Sequence, residues 1–159
     1  VEYTLMQQAT NQQRWIRVSV GIYLLSLLFP CYSTGSTNSH SFMALIMGWI
    51  GVLSGGAAIC WLANPLLWAA WMLFAKKPRV AMFFSMGAFL MAFFFLLFTE
   101  VVANENNQTQ RITERKLGYW LWLGSTLVML VGSYVQVYRL NVKRFRERKA
   151  NEANDRFLH

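Results

Sequence analysis

Long apolar stretches alternate with short polar segments along the chain, and several are as long as a membrane-crossing helix. Such a helix needs about 20 mostly apolar residues, and about 17 are enough. Residues 15–32, 80–98 and 118–138 meet this requirement, and the last two stretches contain no charged residue. In the first stretch Arg17 lies near one end, where its long side chain can reach the lipid headgroups. The pattern predicts a transmembrane helix in each stretch.

Residues 42–75 form a fourth apolar stretch, which is too long for one simple span. It contains no charged residue, and as a single helix it would be about 51 Å long at 1.5 Å per residue. Ser54, Gly55 and Gly56 are the obvious place for a break. We therefore expect an interfacial or re-entrant helix over residues 42–53 and a full span over residues 57–75. The alternative is two complete spans, which would make five in the chain.

The positions of lysine and arginine favour four spans over five, because short loops rich in these residues stay on the cytoplasmic side. With four spans and a cytoplasmic N-terminus, 12 basic residues lie inside and 3 lie outside, whereas five spans leave 5 inside and 10 outside. In the four-span arrangement the outer residues are Arg111, Arg115 and Lys116, and the inner ones are Arg14, Arg17, Lys76, Lys77, Arg79, Arg139, Lys143, Arg144, Arg146, Arg148, Lys149 and Arg156. Both termini, including a basic tail at residues 139–159, are then cytoplasmic.

The composition agrees with a membrane protein. Hydrophobic residues make up 55% of the chain and charged residues 14%, against about 45–50% and about 25% in an average soluble domain. The net charge of +8 is an orientation signal beside an anionic inner leaflet, so it does not indicate a nucleic-acid partner. The expected fold is an all-α integral membrane protein of a single domain with four transmembrane helices, and the lipid bilayer is its first partner.

The segments between the spans are expected to be solvated loops or membrane edges. The first apolar stretch lacks a clear signal-peptide cleavage site, so it is expected to remain as a helix. Residues 99–116 contain Asn107, Gln108 and Thr109, which form a formal glycosylation sequon that also arises by chance in such loops. The basic tail either binds anionic lipid or a partner, or simply anchors the end of a helix that extends past the membrane.

Small residues recur at helical spacing within the spans. In the third span they share one face, which allows helices to approach closely while aromatic residues cover much of the remaining surface. This face consists of Ala81, Ser85, Ala88 and Ala92, and similar sets are Gly118, Ser125 and Gly132 in the fourth span and Gly51 and Gly55 before the second. These faces predict a four-helix bundle, and an oligomer contact is the alternative.

The spans carry no ionisable group at depth of the kind that proton relays and driven transporters generally need. His40 and His159 fall on opposite sides of the membrane, which disfavours a metal site. The sequence also lacks a catalytic triad, a phosphate-binding glycine loop and paired embedded carboxylates. We therefore expect a protein that is not an enzyme and that holds no metal or cofactor.

Two local features carry structural predictions. Pro65 has no N–H for the carbonyl of Trp61, so the helix should kink there, and the Asn64 amide could satisfy that carbonyl or reach a neighbouring helix. Cys31 and Cys60 lie on the same expected side of the membrane at the ends of two adjacent spans. They form either a disulfide in an oxidising compartment or two free thiols.

The segment from Gly48 to Asn64 is the expected functional surface. Glycine is costly in a helix that only spans, and tryptophan suits the interface between apolar and polar layers. The hypothesis is a pocket or docking groove formed by Trp49, Trp61 and Asn64 near the Gly55 and Gly56 hinge. The alternative is a belt of tryptophans beside a kinked helix.

The run from Gly48-Trp49-Ile50-Gly51 to Trp61-Leu62-Ala63-Asn64-Pro65, followed by a basic hairpin at Lys77, Pro78 and Arg79, resembles a group of small four-span proteins of the bacterial inner membrane that have no assigned activity. The resemblance implies that location and an outer tryptophan segment, but no substrate. In size and span count the chain also resembles membrane immunity proteins against bacteriocins. The expected function is non-enzymatic binding to a protein partner or to another copy of the chain. The alternatives are immunity against a membrane-targeting toxin and a passive channel or lipid-handling role.

Overall fold

The computed structural model describes residues 2–35, 37–102 and 109–158, and these residues are mostly helical. Within them the α-helices are α1 (Glu2–Leu27), α2 (Ser41–Ser54), α3 (Ala63–Leu73), α4 (Pro78–Phe94) and α5 (Leu117–Leu158). A 3₁₀ helix, Gly56–Leu62, runs directly into α3, and a short one, Phe95–Leu97, follows α4. The short strands are β1 (Pro30–Ser33), β2 (Asn38–His40), β3 (Glu100–Val102), β4 (Thr109–Arg111) and β5 (Glu114–Arg115).

Three helical stretches of the described chain are long and apolar enough to cross a membrane. They are Gly56–Leu73, Pro78–Leu97 and Leu117–Ala153. The coarse prediction of a helical protein with membrane-length helices is therefore confirmed. The α1 helix is not in this set, because the apolar part of the helix covers only residues 15–27.

The prediction of one helix over residues 15–32 is wrong at its end. Helix α1 stops at Leu27, and the chain from Pro30 to Ser33 becomes strand β1. This strand pairs in antiparallel fashion with β2 on one side and β5 on the other. Proline ends a helix readily, and Gly35, with φ 78°, lies between β1 and β2, where the Thr34 N–H donates to the Thr37 carbonyl at 3.0 Å.

The expectation of an all-α chain is corrected by these strands. A second antiparallel pair joins β3 to β4, with Val101 opposite Gln110. Arg115 of β5 ties this region to the helices, since its guanidinium donates to the carbonyls of Phe95, Leu96 and Phe98 beyond the end of α4. We call the end of the bundle that carries strands β1 to β5 the sheet end. Asn107 and Gln108 of the sequon, like Ser36, lie outside the described residues.

The opposite end of the bundle carries the basic turn between α3 and α4. Pro78 is the first residue of α4, so the turn at Lys76 and Lys77 ends where a proline can start a helix. Arg79 donates to Asn141 Oδ1 of α5 at 3.1 Å, which brings the basic part of α5 to the same end. We call it the basic end. Helix α5 continues past residue 138 to Leu158, as one of the two sequence interpretations of the tail expects.

The helices pack through the small residues that the sequence marks. Helix α1 lies along α5, and α4 packs against both α3 and α5. Each of the four small residues on the α4 face is fully buried: Ala81, Ser85, Ala88 and Ala92. On α5, Ser125 is fully buried, and Gly118 and Gly132 are buried as well. The prediction that these faces are helix contacts is confirmed for α4 and for Ser125 and Gly132 of α5. Gly118 instead faces the backbone of Phe29 and Pro30, and an added Cβ at Gly55 would meet no atom within 4 Å, so neither glycine is a helix–helix contact.

Hydrogen bonds between side chains and backbone reinforce the contact of three helices. Trp71 Nε1 of α3 donates to Ser19 Oγ of α1 at 3.0 Å, and Ser19 Oγ donates to the carbonyl of Ser125 in α5 at 2.9 Å. Ser19 and Ser125 are fully buried. This chain of bonds satisfies polar groups that would be costly to bury alone, and it fixes the rotation of α1 against α5.

Candidate functional site

A cavity of about 240 Å³ lies toward the sheet end, between α1, α2, the 3₁₀ helix and the start of α5. Its wall includes Tyr23 and Leu27 of α1, Leu45, Gly48 and Gly51 of α2, Cys60, Trp61 and Asn64 on the path into α3, and Gly118, Tyr119 and Trp122 of α5. No lining residue is an acid, a lysine, an arginine or a histidine. We call this space the hairpin cavity, because α2 and the 3₁₀ helix fold back on each other beside it.

Asn64 joins three helices at the wall of the hairpin cavity. Its side chain is 5% exposed, and its Oδ1 accepts hydrogen bonds from Tyr23 OH at 3.2 Å and from Trp122 Nε1 at 2.9 Å. Tyr23 is in α1 and Trp122 is in α5. The Asn64 side-chain amide therefore fixes the positions of α1 and α5 relative to α3 along the axis of the bundle.

The same amide satisfies the carbonyl opposite the proline. Asn64 Nδ2 donates to the Trp61 carbonyl oxygen at 3.0 Å. In an α-helix that carbonyl would accept from the N–H of residue 65, which proline does not have. Both roles that the sequence suggests for Asn64, a bond to the freed carbonyl and a reach to a neighbouring helix, are thus observed.

Trp61 fixes α2 against the segment that follows it. Its Nε1 donates to the Leu45 carbonyl at 2.8 Å, and its ring lies against Gly48. A Cβ at Gly48 would approach Trp61 Cγ to 2.8 Å, so only glycine fits under this ring. One helical turn later, Gly51 faces Ala58, where an added Cβ would lie 3.0 Å from the alanine methyl group.

The turn between α2 and the 3₁₀ helix depends on two glycines. Gly55 has φ 78° and Gly56 has φ 62°, in the region that L side chains rarely adopt. Helix α2 ends at Ser54, at the break that the Ser54-Gly55-Gly56 sequence predicts. Neither glycine lines the hairpin cavity. Their part in the candidate site is to reverse the chain so that α2 can cover it.

Trp49 does not take the place that the sequence hypothesis assigns to it. The side chain is 57% exposed and is absent from the cavity wall. Successive helix residues point about 100° apart. Because Gly48 faces the Trp61 ring, its neighbour Trp49 turns away. The structure therefore joins Trp61 with Asn64 and separates both from Trp49.

Both cysteines line the hairpin cavity as free thiols, so the candidate disulfide between Cys31 and Cys60 is not formed in the structure. The Cys31 thiol donates to the Ser39 carbonyl, with Sγ 3.1 Å from the oxygen. Burial raises the pKa of the Cys31 thiol to about 11. This thiol is consequently protonated at neutral pH.

Several hydroxyl groups around the cavity donate to acceptors within the protein. Ser26 donates to the Tyr23 carbonyl at 2.6 Å, Ser41 to the Phe29 carbonyl at 2.8 Å and Tyr119 to the Ala92 carbonyl at 3.0 Å. Among the described residues, the buried side-chain nitrogen and oxygen atoms without a partner are Arg115 Nε and Ser133 Oγ, and neither residue lines the cavity. The wall therefore presents mainly carbon and satisfied polar groups.

A second feature lies on the outside of the bundle, where α1 passes α2. An open groove is lined by Gly21, Leu24, Leu25, Leu27, Leu28 and Phe42. All of these residues are apolar. Leu27 also lines the hairpin cavity, so one side chain borders both spaces. We call this feature the α1–α2 groove.

Sequence reasoning did not identify Tyr23, Trp122 or Tyr119 as site residues. A signal was present, because a tyrosine or tryptophan inside an apolar span carries a polar group that usually finds a partner when buried. The sequence does not show which partner. The described residues hold no cluster of three His, Cys, Asp or Glu side chains that could bind a metal ion.

Comparison of the chain with protein-family models, curated proteins and solved structures finds no match. The interpretation of the cavity therefore depends on its own geometry and chemistry.

Proposed function

We propose that the chain is a non-enzymatic, four-span protein of the bacterial inner membrane that binds a small membrane-soluble ligand in the hairpin cavity. The observation that carries this proposal is the cavity of about 240 Å³, whose wall is braced by the Asn64 hydrogen bonds. A preformed, mostly apolar cavity with a few placed polar groups is typical of a small-molecule site.

The long contact between α1 and α5 supports α1 as a fourth helix that crosses the membrane. Trp15 packs against Gly132, Ser19 bonds to Ser125, and the carbonyl of Phe29 lies beside Gly118. These contacts run in antiparallel order from Gly118 to Gly132, along most of the apolar part of α5. In this proposal α1 crosses the membrane with α5, and strand β1 completes the path at the surface.

The charge distribution supports the orientation. The turn with Lys76 and Lys77 and the basic extension of α5 share the basic end, which we assign to the cytoplasm. The sheet end, with the hairpin cavity near it, is then on the outer side. Both termini are cytoplasmic in this arrangement, and the tryptophan segment is outside, as the resemblance to small bacterial four-span proteins implies.

The volume of the cavity indicates which of the alternative functions suggested by the sequence is favoured. A space of about 240 Å³ is below the range of about 300–1,000 Å³ that drug-sized ligands occupy, so it is too small for a helix of a partner protein. The geometry favours a lipid-handling role over a toxin-immunity role. Binding to a protein partner or to a second copy remains a proposal for other surfaces of the chain.

The binding role is tested by filling the cavity. Ala44 lines it from α2, whereas Ala69 of α3 is similarly half-buried and does not line it. Proteins carrying Ala44→Phe or Ala69→Phe are extracted in polymer discs of native membrane, and the bound small molecules are quantified by mass spectrometry. We expect loss of a stoichiometric ligand in Ala44→Phe alone, at an unchanged melting temperature. An unchanged set of bound molecules in a folded Ala44→Phe protein contradicts the proposal.

The topology is tested by cysteine labelling in intact cells on a background without Cys31 and Cys60. Lys77→Cys should be protected from a membrane-impermeant maleimide, and Asn38→Cys in β2 should react. Reaction of Lys77→Cys in intact cells contradicts the four-span orientation.

A further inference from the structure

The α1–α2 groove on the surface of the bundle and the hairpin cavity in its interior adjoin at Leu27, and together they mark a candidate apolar path. Leu27 borders both, and the groove side of the path is exposed, with Leu28 at 74% and Leu24 at 57%. In the proposed topology this surface faces the hydrocarbon of the outer leaflet. A ligand that travels this path comes from the membrane rather than from water.

The chemistry of the path selects the ligand. The groove offers only apolar side chains and glycine. In the cavity wall, the donor groups of Ser26, Trp61 and Tyr119 already point to acceptors within the protein. A polar ligand would have to compete with these bonds for its own partners, which is unfavourable in a low-dielectric site. A ligand made of carbon and hydrogen requires no such exchange.

The size of the cavity limits how much of the ligand it holds. An apolar cavity of about 150 Å³ binds benzene, so by proportion a cavity of about 240 Å³ has room for roughly nine or ten carbon atoms. That is the end of a long chain rather than a complete lipid. The remainder of the chain needs an apolar surface outside the cavity, and the α1–α2 groove supplies one.

We infer that a hydrocarbon chain of an outer-leaflet amphiphile lies in the α1–α2 groove and inserts its end into the hairpin cavity past Leu27. This inference rests on the proposed binding function and names the class of its ligand. The hydrocarbon chain of the amphiphile already lies in lipid, so its removal from water does not drive the insertion. It is driven by van der Waals contacts, because an unfilled apolar cavity destabilises a protein in proportion to its volume.

The position of the chain is tested by photocrosslinking in nanodiscs of phosphatidylethanolamine and phosphatidylglycerol. One phosphatidylethanolamine probe carries a diazirine at the end of an acyl chain, and a second carries it close to the ester. We expect the terminal diazirine to crosslink to Gly51, Ala57 or Ala58 in the cavity wall, and the ester-proximal diazirine to Leu24, Leu28 or Phe42. Terminal crosslinks confined to the groove and to other lipid-facing residues overturn the inference.

Two glycines supply a matched pair of variants. Gly21 lines the groove, Gly124 of α5 does not, and an added Cβ at either position meets no atom within 4 Å. Gly21→Leu should therefore narrow the groove without disturbing the fold, and Gly124→Leu should add the same bulk elsewhere. We expect cavity crosslinking to fall about ten-fold in Gly21→Leu, which corresponds to about 1.4 kcal/mol of binding free energy, because the added side chain occupies the groove. It should stay at the wild-type level in Gly124→Leu, and an equal yield in both variants overturns the proposed path.

The source of the chain is distinguished by competition. Unlabelled phosphatidylethanolamine and a polyprenyl phosphate are added separately, in excess of the terminal probe, to the protein in detergent micelles that contain no other phospholipid. Loss of cavity crosslinks with either competitor supports the inference, and the more effective competitor identifies the source as a phospholipid or an isoprenoid carrier. If neither competitor reduces the crosslinks, the site is not a saturable hydrocarbon site and the inference is wrong.

Failure of this inference differs from failure of the proposed function. If Ala44→Phe loses a bound small molecule while Gly21→Leu does not affect the cavity crosslinks, the cavity binds a ligand that does not use the groove. If Ala44→Phe loses nothing and the terminal probe reaches no cavity residue, neither proposal stands.

Discussion

The Asn64 side chain donates a hydrogen bond to the carbonyl of Trp61, three residues earlier, with 3.0 Å between Nδ2 and the oxygen. Pro65 is the next residue, so the Trp61 carbonyl, which also accepts from the backbone N–H of Ala63, has no donor at the α-helical position. The other end of the amide accepts from Tyr23 and Trp122. One side chain thus compensates for a proline in its own helix and holds two neighbouring helices at the wall of the hairpin cavity.

Replacing Asn64 with leucine should destabilise the fold by about 2 kcal/mol, because it removes three hydrogen bonds worth roughly 0.6 kcal/mol each inside a membrane protein. Tyr23→Phe removes one of them and should cost about a third as much. The free energy of unfolding in mixed lipid and detergent micelles provides the measurement. Tyr134→Phe is the control, since Tyr134 is exposed on α5. The assigned role of Asn64 is wrong if Asn64→Leu is as stable as Tyr134→Phe.

Two glycines of α5 should respond in opposite directions to alanine. A Cβ at Gly118 would lie 2.6 Å from the Phe29 carbonyl oxygen and 2.7 Å from that of Pro30, and backbone cannot move aside cheaply. Gly118→Ala should therefore lose about 1–3 kcal/mol of unfolding free energy. Gly124→Ala meets nothing within 4 Å and should be neutral or gain up to about 1 kcal/mol through helix propensity. A larger loss in Gly124→Ala than in Gly118→Ala would contradict the packing of β1 against α5.

The buried small faces predict a contrast with the aromatic surface. Ala88 and Ser125 are fully buried, whereas Phe94 is 45% exposed. Ala88→Leu and Ser125→Leu should each lower the unfolding free energy by about 1–3 kcal/mol, because added bulk forces two helices apart. Phe94→Leu should change it much less. Thermal unfolding of the three variants in one detergent measures the difference, and equal melting temperatures would show that the faces are assigned incorrectly.

The Cys31 thiol should react slowly and in a strongly pH-dependent way. Burial raises the pKa of this thiol to about 11, from the 9.0 of an ordinary cysteine, so its thiolate fraction at pH 8 is about 100-fold below that of an exposed cysteine. Its alkylation rate, followed by mass spectrometry of the Cys31 peptide, should rise about ten-fold per pH unit from pH 8 to pH 10. Thr37→Cys in the exposed turn serves as the reference.

The same labelling tests the state of the two cysteines. When the protein is denatured without a reductant, both Cys31 and Cys60 should take up alkylating reagent, because both are free thiols in the structure. A plateau of the native Cys31 rate below pH 9 would contradict the effect of burial on its pKa. Recovery of alkylation only after reduction would show a disulfide.

Much of the fold follows from local patterns. The small face of α4, the break at Gly55 and Gly56 and the proline compensated by Asn64 each involve residues within a few turns of one another, so their consequences can be predicted from spacing. Strand β1 does not follow from the sequence because it and its two partners, the nearby β2 and the distant β5, are too short to show an alternating strand pattern. Strand pairing of this kind depends on the helices that bring the loops together.

The sequence by itself determined the apolar segmentation, the asymmetry of basic charge and the local backbone around Gly55 and Pro65. Only the tertiary structure decided which polar side chains meet. Tyr23 and Trp122 lie 41 and 58 positions from Asn64, and their contact requires three helices at matched depths and rotations. A side chain turns by about 100° with each residue along a helix. For this reason the packing of the whole bundle, and not composition, placed Trp61 at the cavity and turned Trp49 away from it.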